Sequence, residues 1–270
     1  MVMYDFLKVS GLALGLGAAN VSNAGVVELD FGTSTFTSFG TGTNLSMFYE
    51  NVAIDVEGRQ INATLTASAA FVPKAEDKNG SVTGDIRVNL EVGQTVELAL
   101  RLFDNATGLA YNPGVDFDWT LGFFDIDGNA NSYDVVTLKT PAAYTVTSTT
   151  DLNPVSLAPG QVTFSGLNTG GDITGQSGLT PPLTQDQADA MVLFTVSNTS
   201  EVIFDYSHFG TNNSGGRNLL VDGGSLRTAL DDFDPETEIN PPAVVPLPFS
   251  GVLIAGGLFA LGGLRRMRRS

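Results

Sequence analysis

The sequence predicts an all-β protein whose single domain is an antiparallel β-sandwich or jelly roll. From residue 25 to residue 231, apolar residues recur at every second position, which is the spacing of half-buried strands. Glycine, asparagine, aspartate and proline separate these runs, as turns between strands require. About a dozen such runs without a long helical pattern are typical of sandwich and jelly-roll folds.

The clearest strand is the run QTVELALRLFD, residues 94–104. Val96, Leu98, Leu100 and Leu102 fall on one face, so this face is predicted to be buried. The other predicted strands span residues 26–31, 52–56, 61–67, 86–92, 117–124, 133–138, 144–148, 161–164, 191–196, 202–206 and 219–221.

Only one helical turn is predicted, over residues 184–191. Thr184 and Gln187 have the spacing of a capping box, in which each side chain bonds the backbone of the other residue. The glycine-rich stretch 168–182 could separate two domains. Because composition is the same on both sides of it, we expect a long surface loop within one domain.

Charge and composition exclude several classes of function. The chain of 270 residues has a net charge of −16, and a surface this acidic repels nucleic acid, which is bound through lysine and arginine. There is no cysteine, so disulfides, thiolate metal sites and a cysteine nucleophile are excluded. With His208 as the only histidine, most usual routes to catalysis are removed, and we expect no enzymatic activity.

The N-terminal residues 1–24 have the layout of a secretory signal peptide. Lys8 provides a positive charge, a short apolar run follows, and small residues precede a predicted cleavage between Ala24 and Gly25. The run is too short to span a bilayer. The alternative is an N-terminal core helix, which the glycines in this run disfavour.

The C-terminal residues 245–270 contain a proline motif, an apolar run over residues 249–264 and a basic cluster. The motif consists of Val245, Pro246, Leu247 and Pro248, and the cluster contains Arg265, Arg266, Arg268 and Arg269. A helix over the apolar run would be about 24 Å long, and its arginines can snorkel to the surface of a ~30 Å hydrocarbon core. The positive-inside rule then places the arginines in the cytoplasm. The alternative is a permanent tail anchor.

This tail resembles the VPLPA-type PEP-CTERM sorting signal of exported proteins in Gram-negative bacteria. Phe249 stands where that family usually has alanine. The resemblance implies that an exosortase, an integral-membrane protease or transpeptidase, cuts near the proline motif. The protein would be anchored transiently in the inner membrane and then reach the outer surface or the extracellular matrix. The acidic, proline-rich residues 232–244 are predicted to form an extended spacer that keeps the tail accessible.

One stretch within the domain has the pattern of a cation site. Its predicted calcium ligands are Asp125, Asp127, Asn129, Asn131 and Asp134. Calcium takes oxygen ligands from carboxylates and amides, which this spacing supplies across a turn. Asp116 and Asp118, upstream on the same strand, could add negative charge. The alternative is a solvated turn that closes a hairpin.

Three further features are predicted to be structural. Trp119 lies in an alternating strand and is expected in the core, with a sugar-stacking platform as the alternative. His208 is expected at the surface or packed under a loop. The stretch GTNNSGGRNLL, residues 210–220, is predicted to be a turn, because it lacks the strand and helix that a phosphate loop needs.

These observations predict an exported structural or adhesive protein of the cell surface or extracellular matrix, associated with exopolysaccharide or biofilm. The first alternative is a calcium-dependent carbohydrate-binding module, which would present an exposed aromatic row beside the calcium loop. A weaker alternative is a secreted glycan hydrolase or lyase, which would need two carboxylates with separate roles in one cleft.

Overall fold

The computed structural model describes residues 27–31, 39–40, 43–75, 78–82, 84–114, 116–167, 169, 183–211, 217–223, 233 and 235–239. The predicted signal peptide with its cleavage site at Ala24 and Gly25, and the whole predicted sorting tail 245–270, lie outside these residues. So does most of the predicted loop 168–182. Among the described residues, no helix has the length and apolar character needed to cross a membrane.

The described chain consists of fifteen strands and one short helix, α1 (Gln185–Asp189). The strands are β1 (Ser46–Ile54), β2 (Gln60–Ala67), β3 (Gly80–Val82), β4 (Asp85–Leu90), β5 (Thr95–Asp104), β6 (Asp118–Phe124), β7 (Gly128–Asn129), β8 (Ser132–Leu138), β9 (Ala143–Thr147), β10 (Val155–Ala158), β11 (Gln161–Ser165), β12 (Val192–Ser197), β13 (Glu201–Gly210), β14 (Arg217–Asp222) and β15 (Pro235–Ile239).

These strands form two antiparallel sheets. The first has the order β1-β2-β5-β13-β8-β11-β10, with β7 paired to β8, and the second has the order β15-β9-β12-β6-β14-β4-β3. Side chains from the two sheets pack against each other. The rings of Phe123 on β6 and Phe204 on β13 lie 4.7 Å apart, and those of Tyr144 on β9 and Phe164 on β11 lie 5.1 Å apart. The predicted antiparallel β-sandwich is confirmed for the described chain.

The alternation that predicted the strands also decides which side chains form the core. Val96, Leu98, Leu100 and Leu102 of β5 are all buried, as predicted. Strand β6 is central in the second sheet and is buried on both faces, because α1 covers the face turned away from the first sheet. The predicted capping box is confirmed at α1: Thr184 Oγ1 accepts a hydrogen bond from Gln187 N, and Gln187 Oε1 accepts one from Thr184 N.

Two strand predictions were wrong. Within the predicted strand 26–31, Val27 forms only an isolated bridge to Trp119, although Leu29 and Phe31 are buried in the core. Residues 235–239 were assigned to the acidic spacer but form β15, which pairs with β9 at the edge of the second sheet. An edge strand is hydrogen-bonded on one side only and tolerates charged residues, and Pro235 stands at its first position.

Candidate functional site

The predicted calcium loop connects β6 to β8, and only some of its predicted ligands are exposed to solvent. Asp125, Asp127 and Asp134 are buried, with at most 4 % of each residue exposed. Asn129 and Asn131 are exposed in the hairpin turn between β7 and β8, where Asn131 N donates a hydrogen bond to Asn129 Oδ1 at 2.9 Å. A hairpin of β7 and β8 is present at this turn, as in the alternative, but the carboxylates are buried and not solvated as that alternative expected. The two asparagines of the loop are therefore exposed to solvent, whereas its three aspartates are buried.

Arg217 supplies the positive charge beside the inner carboxylates. Its Nη1 donates to Asp127 Oδ1, and its Nη2 donates to the carbonyl oxygen of Ser132 at 3.1 Å. The side chains of Arg217 and Asp127 are 14 % and 1 % exposed, so this ion pair is largely removed from water. The prediction of a turn over residues 210–220 was wrong at this point, because Arg217 begins strand β14.

His208 is buried, so of its two expected positions the one at the surface was wrong. It lies on β13, and its Nε2 is 2.8 Å from Ser132 Oγ. Its Nδ1 is 3.3 Å from the carbonyl oxygen of Leu90, which can only accept a hydrogen bond, so Nδ1 carries the proton. Burial lowers the pKa of the imidazole below its usual value, and the charge of Arg217 lowers it further. Neutral His208 therefore accepts a hydrogen bond from the Ser132 hydroxyl at its Nε2, as part of a buried polar network.

Asp134 pairs with His208 in the register of β8 and β13. The Tyr206 hydroxyl donates a hydrogen bond to Asp134 Oδ1 at 2.8 Å, while Asp134 Oδ2 is buried without a hydrogen-bond partner among the described residues. Burial raises the pKa of the Asp134 carboxyl well above its ordinary value, and the neighbouring Asp127 carboxylate raises it further. We call Arg217, Asp127, Ser132, His208 and Asp134 the buried polar cluster.

The cluster does not have the form of the predicted metal centre. Within the described ranges, no three histidine, aspartate or glutamate side chains are grouped so as to hold a metal ion. Asp116 and Asp118 cannot add charge as expected, because they lie at the opposite end of β6, roughly 20 Å from Asp125 at 3.3 Å per residue. Calcium binding at this loop stays a prediction, and Arg217 already neutralises one of its carboxylates.

An aromatic pair lies on the other side of the same loop, facing solvent. Tyr133 on β8 and Phe209 on β13 are directly paired in register, and their rings stack with centroids 5.7 Å apart and planes 25° from parallel. Phe209 is 42 % exposed. Both residues point away from the core, because the alternate residues of β8 and β13 are buried between the sheets. An exposed aromatic row beside the loop was expected of a carbohydrate-binding module, and the structure places two stacked rings at this position.

Neighbouring strands extend this pair into a wider surface. Leu167 is 39 % exposed and follows the end of β11. Ser165 of β11 pairs with Val135 in antiparallel register, so Leu167, two residues later, lies beside Tyr133. On the other side, Gly93 N donates to the carbonyl oxygen of His208 at 2.8 Å, and nothing lies within 4 Å of where a Cβ of Gly93 would stand. We call Leu167, Tyr133, Phe209 and Gly93 the aromatic platform.

Trp119 does not contribute to this surface. It is fully buried, and its Nε1 donates to the carbonyl oxygen of Thr199 at 2.7 Å, so the prediction of a core residue is confirmed. Sequence reasoning missed Tyr133 and Phe209 as surface residues. The available signal was the alternation itself, which places Phe209 on the face opposite to Phe204 and Tyr206.

No known protein family matches the sequence, and no characterised protein matches it. Among solved structures, the chain is similar to the glucan-binding protein C of Streptococcus mutans, with a TM-score of 0.37 and 7 % identity. The match covers 68 % of this chain and 61 % of that chain, so less than two thirds of the length of that protein is spanned. That protein mediates sucrose-independent and sucrose-dependent adherence. A likeness at this level carries no argument about function.

Proposed function

We propose that this protein is an exported, non-enzymatic adhesin that binds an extracellular polysaccharide on the outer face of its first sheet. The observation that carries the proposal is the stacked, solvent-facing pair of Tyr133 and Phe209. Aromatic side chains contribute large contact areas at low entropic cost, and they are enriched in binding sites for this reason. The C–H face of a sugar ring offers the apolar surface that such rings pack against.

The surroundings of the aromatic platform suit a neutral, hydroxyl-rich ligand. Thr95 Oγ1 and Ser207 Oγ form a hydroxyl pair, 2.9 Å apart, one step along the sheet from Phe209. Farther along the same face, Lys139 is paired with both Glu97 and Asp205, each at 2.7 Å. The positive charge of Lys139 is therefore engaged within the protein, and the net charge of −16 disfavours acidic glycans.

The proposal includes the route to the surface. A signal peptide over residues 1–24 would direct export, and the tail 245–270 would hold the chain in the inner membrane until an exosortase cleaves it. The acidic domain would then be released or attached at the outer surface or within exopolysaccharide. The support for this route is the order of proline motif, apolar run and arginine cluster at residues 245–270.

The first prediction concerns the aromatic platform. Replacing Phe209 or Tyr133 with alanine should weaken retention by immobilised neutral polysaccharides, such as dextran, mannan and β-glucan, by about tenfold or more, since one order of magnitude corresponds to about 1.4 kcal/mol. Affinity electrophoresis of the wild-type chain and each variant in gels containing the polysaccharide measures this change.

Phe48 provides the matched control. It is 52 % exposed on the same face, but it lies on β1 at the far corner of the sheet. The variant Phe48→Ala removes a similar exposed ring and should keep full retention. Equal loss in all three variants would indicate nonspecific hydrophobic adsorption. Retention unchanged by Phe209→Ala and Tyr133→Ala would overturn the proposed site.

The second prediction concerns the tail. Deleting residues 265–270 should leave most of the protein as unprocessed precursor, because the positive stop that orients the helix is lost. Replacing the four arginines with lysine preserves the charge and should preserve cleavage. Immunoblots of fractionated cells distinguish precursor from product. Normal maturation of the deletion variant would contradict sorting through this segment.

A further inference from the structure

A second site lies at the opposite end of the sandwich from the aromatic platform. A cavity of about 720 Å³ opens between the segment that precedes β6 and the turn that precedes β13. Its lining includes Tyr111, Asn112, Asp116, Phe117, Asn198 and Ser200. Pockets of 300–1,000 Å³ that combine apolar walls with a few placed polar groups are typical of small-molecule sites. Phe209 lies next to the last residue of β13, whereas Ser200 precedes the strand, so the cavity and the platform are separate surfaces.

The apolar wall of the cavity is held rigidly. The rings of Tyr111 and Phe117 meet edge to face, with centroids 5.2 Å apart. The Tyr111 hydroxyl donates a hydrogen bond to Asp55 Oδ2 at 3.1 Å. The guanidinium carbon of Arg59 lies 5.6 Å from the centroid of the Tyr111 ring. Burial and, to a smaller extent, the hydrogen bond to Asp55 raise the pKa of Tyr111 to about 12, so the hydroxyl stays a donor to Asp55. The phenol group is thus committed to the protein. Tyr111 and Phe117 are 3 % and 6 % exposed, so only a small part of each side chain lines the cavity.

Two asparagines at the rim present amide N–H groups. Asn112 Oδ1 accepts a hydrogen bond from Gly114 N at 2.9 Å, and Asn198 Oδ1 accepts one from Phe117 N at 3.0 Å. Each amide oxygen is therefore engaged in the protein, while each Nδ2 amino group remains available as a donor of two hydrogen bonds. Asn198 N also donates to the carbonyl oxygen of Phe117 at 2.9 Å, which fixes the backbone of Asn198 in its left-handed conformation, with φ of 56°.

Asp116 supplies the complementary acceptor. Its carboxylate is exposed at the rim and has no ion-pair or hydrogen-bond partner among the residues that the structure describes. No lysine or arginine lines the described part of the cavity, so a phosphate, sulfate or uronate group would meet no counter-charge. One carboxylate is too few for a divalent cation, which takes six or more oxygen ligands.

We propose that this cavity binds one neutral sugar unit. A sugar hydroxyl both donates and accepts hydrogen bonds, so it can donate to the Asp116 carboxylate while accepting from the Asn112 or Asn198 amide. The apolar contact available to the sugar ring is the small part of Tyr111 and Phe117 that lines the cavity. This inference rests on the proposed function in assuming a glycan ligand, and it adds a second, sugar-sized site to the extended surface of the aromatic platform.

The test titrates the full-length chain with glucose, galactose, mannose and N-acetylglucosamine, each to 100 mM, while amide resonances are followed by NMR. We expect at least one sugar to shift the resonances of Gly114 and Asn198 in a saturable manner. Asp116→Ala and Asn112→Ala should weaken that sugar at least tenfold. Asp151→Ala removes an equally exposed carboxylate elsewhere and should leave affinity unchanged.

The variant Phe209→Ala separates the two sites. If the cavity binds as proposed, Phe209→Ala loses polysaccharide retention but keeps the monosaccharide shifts. Polysaccharide retention without monosaccharide shifts would overturn the cavity site and leave the proposed function standing. Shifts that persist in both Asp116→Ala and Asn112→Ala would also overturn it, since the sugar would then bind elsewhere.

Discussion

Replacing Arg217 with methionine should lower the free energy of unfolding by about 3–5 kcal/mol, because the variant leaves the Asp127 carboxylate buried without its counter-charge. Asp127 is 1 % exposed at its side chain and cannot regain solvation without local unfolding. The same change removes the donor to the carbonyl oxygen of Ser132. Equilibrium unfolding in urea of the wild-type chain and the variant measures the loss.

The chain offers a matched control in a second arginine ion pair. Arg101 contacts Glu201 on the outer face, with side chains 55 % and 31 % exposed. Exposed pairs contribute about 0–1 kcal/mol, so Arg101→Met should have little effect. Adding Asp127→Asn to Arg217→Met removes the stranded charge and should recover part of the stability. Equal losses in Arg217→Met and Arg101→Met would show that the Arg217 pair is solvated.

The same variant tests the predicted calcium ligands. In Arg217→Met, the Asp127 carboxylate lacks the arginine, so a cation could take its place. Melting curves in EDTA and in millimolar calcium compare the two proteins, since an ion that binds only the native state raises its stability. A rise confined to the variant would indicate that arginine and calcium are alternative partners of Asp127.

The fold was predictable from sequence because period-two alternation reports directly which face of a strand is buried. Runs such as residues 94–104 carry this signal on their own. The strands that escaped prediction lie at edges or in turns. All four residues of β10 are exposed, so they show no alternation of burial. The sequence of β15 has the composition of an acidic, proline-rich linker, and the strand forms by pairing with β9. Such strands are defined by pairing with a distant partner, which local patterns do not encode.

The candidate site was only partly predictable, for the same reason. The loop with Asp125, Asp127 and Asp134 was predicted to bind calcium, and its carboxylates are buried beside Arg217. Its partner Arg217 lies 90 residues from Asp127 in the chain and reaches it only because β14 pairs with β6 in the second sheet. His208 was misplaced because a polar loop follows it, although its own strand continues to Gly210. Long-range pairing, not composition, decided both outcomes.

The pH dependence of stability should expose two opposing titrations within the buried polar cluster. The pKa of Asp134 is raised above its ordinary 3.8, so above that pH the native protein retains a proton that the unfolded chain releases. This contribution lowers stability as pH rises. The pKa of His208 is lowered below its ordinary 6.5, so below that pH the unfolded chain takes up a proton that the native protein does not. This contribution lowers stability as pH falls.

Each titration changes the free energy of unfolding by at most about 1.4 kcal/mol per pH unit, with opposite sign. Just below pH 6.5 the two slopes have opposite signs, and above pH 6.5 the slope of Asp134 remains alone until the pH reaches the raised pKa of Asp134 in the native protein. The charged and polar groups around them are Asp127, Arg217 and Tyr206. Because the chain has one histidine, no second imidazole contributes.

Asp134→Asn should therefore be more stable than the wild-type chain above pH 3.8, and its advantage should grow as the pH rises toward the raised pKa of Asp134 in the native protein. The asparagine keeps an acceptor for the Tyr206 hydroxyl, and it removes the carboxyl that must be buried either protonated or charged. Urea unfolding at pH 5, 6, 7 and 8 measures the difference, with Asp151→Asn, an exposed site, as the control.

The variant His208→Gln checks the other half of the argument. It removes the titration that destabilises the protein toward acid pH. Its stability should therefore fall as the pH rises toward 6.5, where that of Asp134→Asn should rise. An Asp134→Asn curve parallel to the wild-type curve at every pH would mean that Asp134 is already ionised in the native state. Asp134 Oδ2 would then require a partner for a buried negative charge, which would bring a bound cation back to this loop.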